Sequence, residues 1–271
     1  MGTVSIVLIL FGLPALLYAA LWVASWRRRE PPARLGGWMV AAIALHGVSL
    51  TWPWDGFRFG FAKALSATMW IGVVLLWFES RRLRVDALRI LILPPAVVAL
   101  LLPLVFPGSG FPQLATRPLF VPHLVAGTLA YGVLLLAALH ALLMFLAERD
   151  LHRVDREGAG AFARLIGELP PLMALERILF RFIGVGFALL LLTTASGVVF
   201  SEQVFGRPLR FDHKVVFSLL ALAFFGVLLA GRALRGWRGR IATGFTLWGF
   251  ATLMLAYVGT RFVLEVILHR Y

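Results

Sequence analysis

Eight apolar stretches follow one another along this chain with little between them, at roughly residues 3–26, 37–54, 60–78, 87–106, 118–146, 178–200, 214–231 and 241–266. A helix of about 20 apolar residues crosses the hydrocarbon layer of a bilayer, and in that layer only a helix or a closed barrel satisfies every backbone polar group. Hydrophobic residues make up 61% of the chain and charged residues 14%, which leaves too little polar surface to cover a soluble domain. The sequence therefore predicts an all-α fold: one integral membrane domain over residues 1–271, a polytopic bundle of about eight helices held in the lipid bilayer.

The basic residues orient the bundle, because lysine and arginine are retained on the cytoplasmic side. Of 26 such residues, eighteen fall in four alternate connections, Arg27 to Arg34, Arg81 to Arg89, Arg149 to Arg181 and Arg232 to Arg240. The others are Arg58, Lys63, Arg117, Arg207, Arg210, Lys214, Arg261 and Arg270. Both termini are expected outside, with the long connection at residues 148–181 inside. The net charge of +13 flanks the spans and marks contact with anionic headgroups, so no nucleic-acid partner is expected. The first segment lacks a basic leading region and reads as a retained span.

The long inner connection is expected to form a short helix from about Gly158 to Leu169, stopped by Pro170-Pro171. Leu172, Leu175 and Leu179 beyond it make an apolar stripe suited to the membrane surface. The chain has no cysteine, so disulfide, thiol and covalent c-type haem chemistry are all beyond it.

Ionisable side chains within spans mark functional sites, and imidazole is an axial ligand for haem iron. Three histidines, His46, His123 and His269, sit within or just beyond spans and toward the predicted outer side. His123 opens the fifth span, with Gly127 and Tyr131 on the same helix face. Gly127 offers space beside the imidazole, and Tyr131 a hydroxyl one turn deeper. At the end of the eighth span, Tyr257, Arg261, Glu265 and His269 form an i, i+4 series. Arg261 can pair with Glu265 or meet a carboxylate such as a haem propionate. His46 lies deeper and is equally suited to a hydrogen-bonded core position. His140 and His152 read as interfacial or solvated.

The loop before the seventh span, Phe205-Gly206-Arg207-Pro208-Leu209-Arg210-Phe211-Asp212, has the spacing W-G-x-x-W-x-W-D. It resembles the tryptophan-rich haem-binding signature of the CcsA and CcmC cytochrome c assembly proteins. All three tryptophans are replaced, while Gly206 and Asp212 remain, with Lys214 just beyond. From about residue 119 onward the chain is similar to that family, and most of all to its YpjD and HemX-like inner-membrane branch. The likeness is carried by His123 to Tyr131, Leu169-Pro170-Pro171-Leu172-Met173-Ala174-Leu175-Glu176-Arg177, Gly236-Trp237-Arg238-Gly239-Arg240 and Ala256-Tyr257-Val258-Gly259-Thr260-Arg261.

The resemblance implies a multi-pass protein of the bacterial inner membrane that holds b-type haem without covalent attachment. His123 and His269 match the family's two outer histidines and would ligate the iron, with His46 as a third candidate. Phe205 and Phe211 would offer flat faces to the porphyrin beside Asp212. Ala230 stands where larger assembly proteins carry a further histidine. The leading expectation is an accessory haem-handling factor with no catalytic step of its own, working beside other cytochrome c assembly or membrane proteins. A haem-free regulatory or structural subunit is the alternative. A small-solute or ion transporter is the third, and the outer placement of Asp55, Glu202, Asp212 and Glu265 speaks against it.

Overall fold

The computed structural model describes residues 3–27, 32–53, 58–81, 86–110, 120–151, 167, 169–205 and 212–269, nearly all of them helical. Helix α1 runs through Thr3–Val7, a π-turn at Leu8–Gly12, and Leu13–Arg27. Then come α2 (Pro32–Ser49), α3 (Phe61–Ser80), α4 (Asp86–Val105), α5 (Phe120–Leu151), α6 (Leu172–Phe205) and α7 (His213–Arg235). Helix α8 runs through Gly239–Met254, a π-turn at Leu255–Gly259, Thr260–Phe262 and a second π-turn at Val263–Ile267. Seven of these are long and apolar enough to cross a membrane, and α2 adds a shorter apolar helix, Gly36–Ser49. The fold is an all-α polytopic membrane bundle.

The largest departure from the sequence reading is at α6. It begins at Leu172, directly after Pro170-Pro171, and the N–H groups of Ala174 and Leu175 both bond to the Pro171 carbonyl. Proline suits the entry to a helix, where its missing N–H has no partner to lose. Leu175 and Leu179 are therefore buried core residues of a membrane-length helix, and the stripe is not an interfacial segment. The helix expected at 158–169 lies outside the described residues apart from Gly167 and Leu169.

Two cores share α5. Helices α1 to α4 close around Tyr18, Leu76, Leu88, Leu93 and Leu100, and Leu135, Leu136 and Leu143 of α5 join them. Helices α5 to α8 close around Leu134, Leu179, Ile183, Phe225 and Leu253. Helices in lipid have no hydrophobic drive to associate, so they rely on small residues that let backbones approach. Gly132 of α5 does this against α3, where a Cβ would run into Ile71, and Gly186 of α6 against α5, where a Cβ would run into Leu134.

At one end, here the upper end, a two-residue strand β1 (Arg58–Phe59) pairs antiparallel with β2 (Ser109–Gly110), Arg58 opposite Gly110 and Phe59 opposite Ser109. This ties the α2–α3 and α4–α5 connections together. Gly108 has φ +77°, and a Cβ on Gly60 would lie 2.8 Å from its Cα, so both positions need glycine. The last turns of α8 reach the same place: Phe262 packs on Phe61 with ring centroids 5.3 Å apart, and Tyr257 on Phe59 at 5.8 Å.

Candidate functional site at the upper end

Helix α5 starts at the upper end with Phe120-Val121-Pro122-His123, the proline sitting in the first turn where it is tolerated. The His123 ring is half-buried against α6. Its Nδ1 is 3.0 Å from Ser196 Oγ, and the Thr193 carbonyl also bonds to the ring. The Ser196 hydroxyl donates its only hydrogen to the Thr193 carbonyl at 3.1 Å, so toward the imidazole it accepts. Nδ1 therefore carries the ring hydrogen and Nε2 the lone pair, and Nε2 is the nitrogen a metal would take. A partner that pins one nitrogen and thereby sets tautomer and orientation is the usual support of a metal-binding histidine.

The space for this ring comes from Gly197, where a Cβ would lie 3.2 Å from His123 Cε1. Gly127 instead admits Thr193, whose Cγ2 would be 3.3 Å from its Cβ. Sequence periodicity placed Gly127 correctly on the His123 face, but it could not report which residue of a neighbouring helix would fill that space.

Tyr131 is bound elsewhere. Its hydroxyl donates to the Leu253 carbonyl at 2.6 Å, just where α8 passes into its first π-turn and the regular ladder is disturbed. Beyond that point Tyr257 meets Lys214, whose Nζ is 5.4 Å from the ring centroid, while Arg261 lies 5.9 Å from it. Arg261 and Glu265 approach to 3.9 Å. Glu265 is almost fully buried and accepts a hydrogen bond from the Phe61 backbone N–H. It thus caps the start of α3, a helix end whose own preceding residue is Gly60 and supplies no side-chain cap. A carboxylate there also complements the helix dipole.

The i, i+4 series holds for three members. An α-helix at 3.6 residues per turn drifts by about 40° at each such step, and the wider π-turns offset the drift. His269 departs from the series: its φ of 48° is left-handed, the helix has ended at Leu268, and the side chain is exposed. Asp212 N-caps α7, with Oδ1 2.9 Å from the Val215 N–H. Phe205 is the last residue of α6, and its side chain, with all of Gly206 to Phe211, lies outside the described residues.

His46 is a different kind of residue. It is fully buried, its Nδ1 is 3.2 Å from Tyr18 Oη and its Nε2 3.0 Å from Ser66 Oγ. Both ring nitrogens are engaged, by α1 and α3 respectively. His140, expected at an interface, is also fully buried. Its Nδ1 bonds to the Leu136 carbonyl and its Nε2 to Glu79, each at 2.8 Å. A carboxylate on another helix made burial affordable, and no local pattern around His140 announced it. His152 lies outside the described residues.

Two of the sequence segments that carried the family likeness meet at the lower end. Glu176 Oε1 receives Arg232 at 2.6 Å and Arg238 at 3.1 Å. Gly236, at φ 66°, closes α7, and Trp237 folds back over Gly231, where any Cβ would collide with its ring. These residues build the α6–α7–α8 corner, so their likeness to relatives reports the fold.

Residues 35–268 match the family model described as Cytochrome C assembly protein. Inner membrane protein YpjD of Escherichia coli is 32% identical over 172 residues, 64% of this chain and 62% of YpjD, so the match spans less than two thirds of that relative. Cytochrome c biogenesis protein CcsA of Heterosigma akashiwo is 24% identical over 250 residues, 79% of this chain and 77% of the relative. The CcsA protein of Gloeobacter violaceus is 31% identical over 97 residues, 36% of this chain and 28% of the relative. With seven membrane-length helices among its described residues, this is a multi-pass protein of the bacterial inner membrane, and the chain belongs to the cytochrome c assembly protein family.

Proposed function

We propose that this protein is an accessory haem-handling factor, with His123 as one axial ligand through Nε2 and His269 as the other. The observation that carries the proposal is the seat of His123, whose Nδ1 lies 3.0 Å from Ser196 Oγ on the bed that Gly197 provides. A bound haem would supply an iron that takes a nitrogen ligand on each face. The chain's own part is to hold and orient the group. Lys214 and Arg261 flank Tyr257 near His123 and suit the propionates. Tyr131 fixes α8 where this cationic face begins. Asp212 secures the start of α7, after the loop in which Phe205 and Phe211 would cover porphyrin surface. The haem is b-type, since the chain has no thiol for covalent attachment. His46 is assigned to holding α1, α2 and α3 together, with both nitrogens already bonded. The upper end then faces the extracytoplasmic side, where reporter fusions at both termini should signal.

The test is the absorption spectrum of gently solubilised protein. A Soret band that shifts or disappears in His123→Ala and His269→Ala is expected, and an unchanged band in the double variant overturns the ligand assignment. A second reading, a haem-free structural or regulatory subunit, draws on the replaced tryptophans: Leu209 has no flat face, and Phe205 and Phe211 lack the indole N–H. It predicts no Soret band even after haem is supplied. On either reading the chain should not replace a cytochrome c synthase, because the basic, stiffened stretch Arg207-Pro208-Leu209-Arg210 differs from the family loop that a partner meets. Robust maturation of c-type cytochromes in a strain lacking such a synthase, with this chain alone, would contradict that.

A further inference from the structure

The lower end holds a pair that the haem reading does not use. Glu79, next to last in α3, and His140 of α5 meet with Oε1 2.8 Å from Nε2, the imidazole fully buried and the Glu79 side chain 8% exposed. His140 Nδ1 is 2.8 Å from the Leu136 carbonyl oxygen. A carbonyl only accepts, so Nδ1 carries a hydrogen. If Nε2 then bore none, its lone pair would face a carboxylate oxygen at hydrogen-bond distance, an uncompensated contact between buried acceptors. A hydrogen therefore lies between Nε2 and Oε1, either on Nε2 against a carboxylate or on Oε1 as a carboxylic acid donating to neutral imidazole. Both arrangements hold one proton more than a neutral histidine beside an ionised glutamate.

We infer that Glu79 and His140 form a proton-binding site that takes up one proton where α3 meets α5. The surroundings fit. Phe182 of α6 lies against the imidazole, ring centroids 5.4 Å apart, and gives that side an apolar wall. Glu79 Oε2 is buried with no hydrogen-bond partner among the described residues, leaving an acceptor through which a proton can be delivered or withdrawn. The described charges nearest Glu79 in the chain are Arg81, whose Cζ is 4.5 Å from the Trp77 ring centroid, and the buried Arg89 of α4; α3 also carries Lys63, α4 Asp86, α5 Glu148 and Arg149, and α6 Glu176, Arg177 and Arg181. Helix α3 belongs to the first core and α5 to both, so the pair sits where α5 meets the first group of helices.

The experiment is magic-angle-spinning NMR of the full chain in lipid vesicles at neutral pH, isotope-labelled at histidine nitrogen and glutamate carbon. Correlations to Leu139 and Ala141 assign the His140 ring. The expected result is a hydrogen on Nδ1, together with either a second on Nε2 and an ionised Glu79, or a Glu79 carboxylic acid bonded to Nε2. A hydrogen on Nε2 alone, with Nδ1 bare and Glu79 ionised, overturns the proposal. In Glu79→Gln the amide N–H should take the proton's place and leave His140 neutral. A doubly protonated His140 in that variant would show that the proton is not the pair's, and the wild-type spectrum decides the matter should the variant not fold.

Discussion

His46 and His123 each stand three residues from a helix end near the upper end of the bundle, and they lie in opposite settings. His46 is enclosed by α1, α2 and α3 with both nitrogens bonded. His123 is half-buried and meets α6, with Nδ1 3.0 Å from Ser196 Oγ. Depth in the membrane is thus a poor guide to what a histidine does. The hydroxyls that neighbouring helices bring to it decide whether the ring is a strut or a ligand.

The contrast can be broken most forcefully at His46. Replacing it with alanine leaves the Tyr18 and Ser66 hydroxyls without their partner and opens a void, so His46→Ala should lose about 2–4 kcal/mol of stability. Thermal unfolding in detergent would show the fall, while any haem spectrum persists. Loss of the spectrum with stability intact would reverse the roles assigned to the two residues. Next in size is Gly132→Val, which pushes α5 away from Ile71 of α3 and should cost about 1–3 kcal/mol by overpacking; an unchanged melting curve would mean that the halves are not in close contact there.

Asp212→Ala removes the cap on α7 and should cost about 1 kcal/mol, visible as a small drop in melting temperature and as faster amide exchange at Val215. No change in exchange would mean that the cap is idle in the membrane. His123→Ala is the mildest for the fold, below about 1 kcal/mol for one half-buried hydrogen bond, and the most decisive for the spectrum. Added imidazole should partly restore the band. Gly197→Ala sharpens the point: its new methyl would press on the His123 ring and should shift the band without removing it.

Much of the architecture could be read from apolar run length alone, because a bilayer admits few alternatives. The ends of α3, α4 and α7 fall within a few residues of their apolar runs for that reason. Only the first turns of α6 escaped, because Arg177 and Arg181 interrupt the hydrophobic pattern ahead of the span read at 178–200, although the stripe of Leu175 and Leu179 continues past them into the core. At the site, spacing placed Tyr257, Arg261 and Glu265 together, since i, i+4 contacts are local. It could not foresee the helix ending before His269, which has a left-handed φ of 48°, nor Ser196 and Gly197 meeting His123 from a helix some 70 residues on. Burial of Glu79 with His140 was equally illegible, because the two partners lie 61 residues apart on different helices.

The two π-turns of α8 make its far end adjustable in whole-residue steps. Each wide turn holds about one residue more than an α-turn, so removing one residue, Gly259 for instance, would let that turn tighten to α geometry and absorb the loss, whereas the same deletion in a regular helix rotates everything beyond it by about 100°. Arg261 would stay beside the Tyr257 ring and Glu265 at the start of α3, and the helix below Leu255 would stay put. The end of α8 works like an expansion joint: a one-residue deletion there is taken up in the turn itself, and the cationic face keeps its aim.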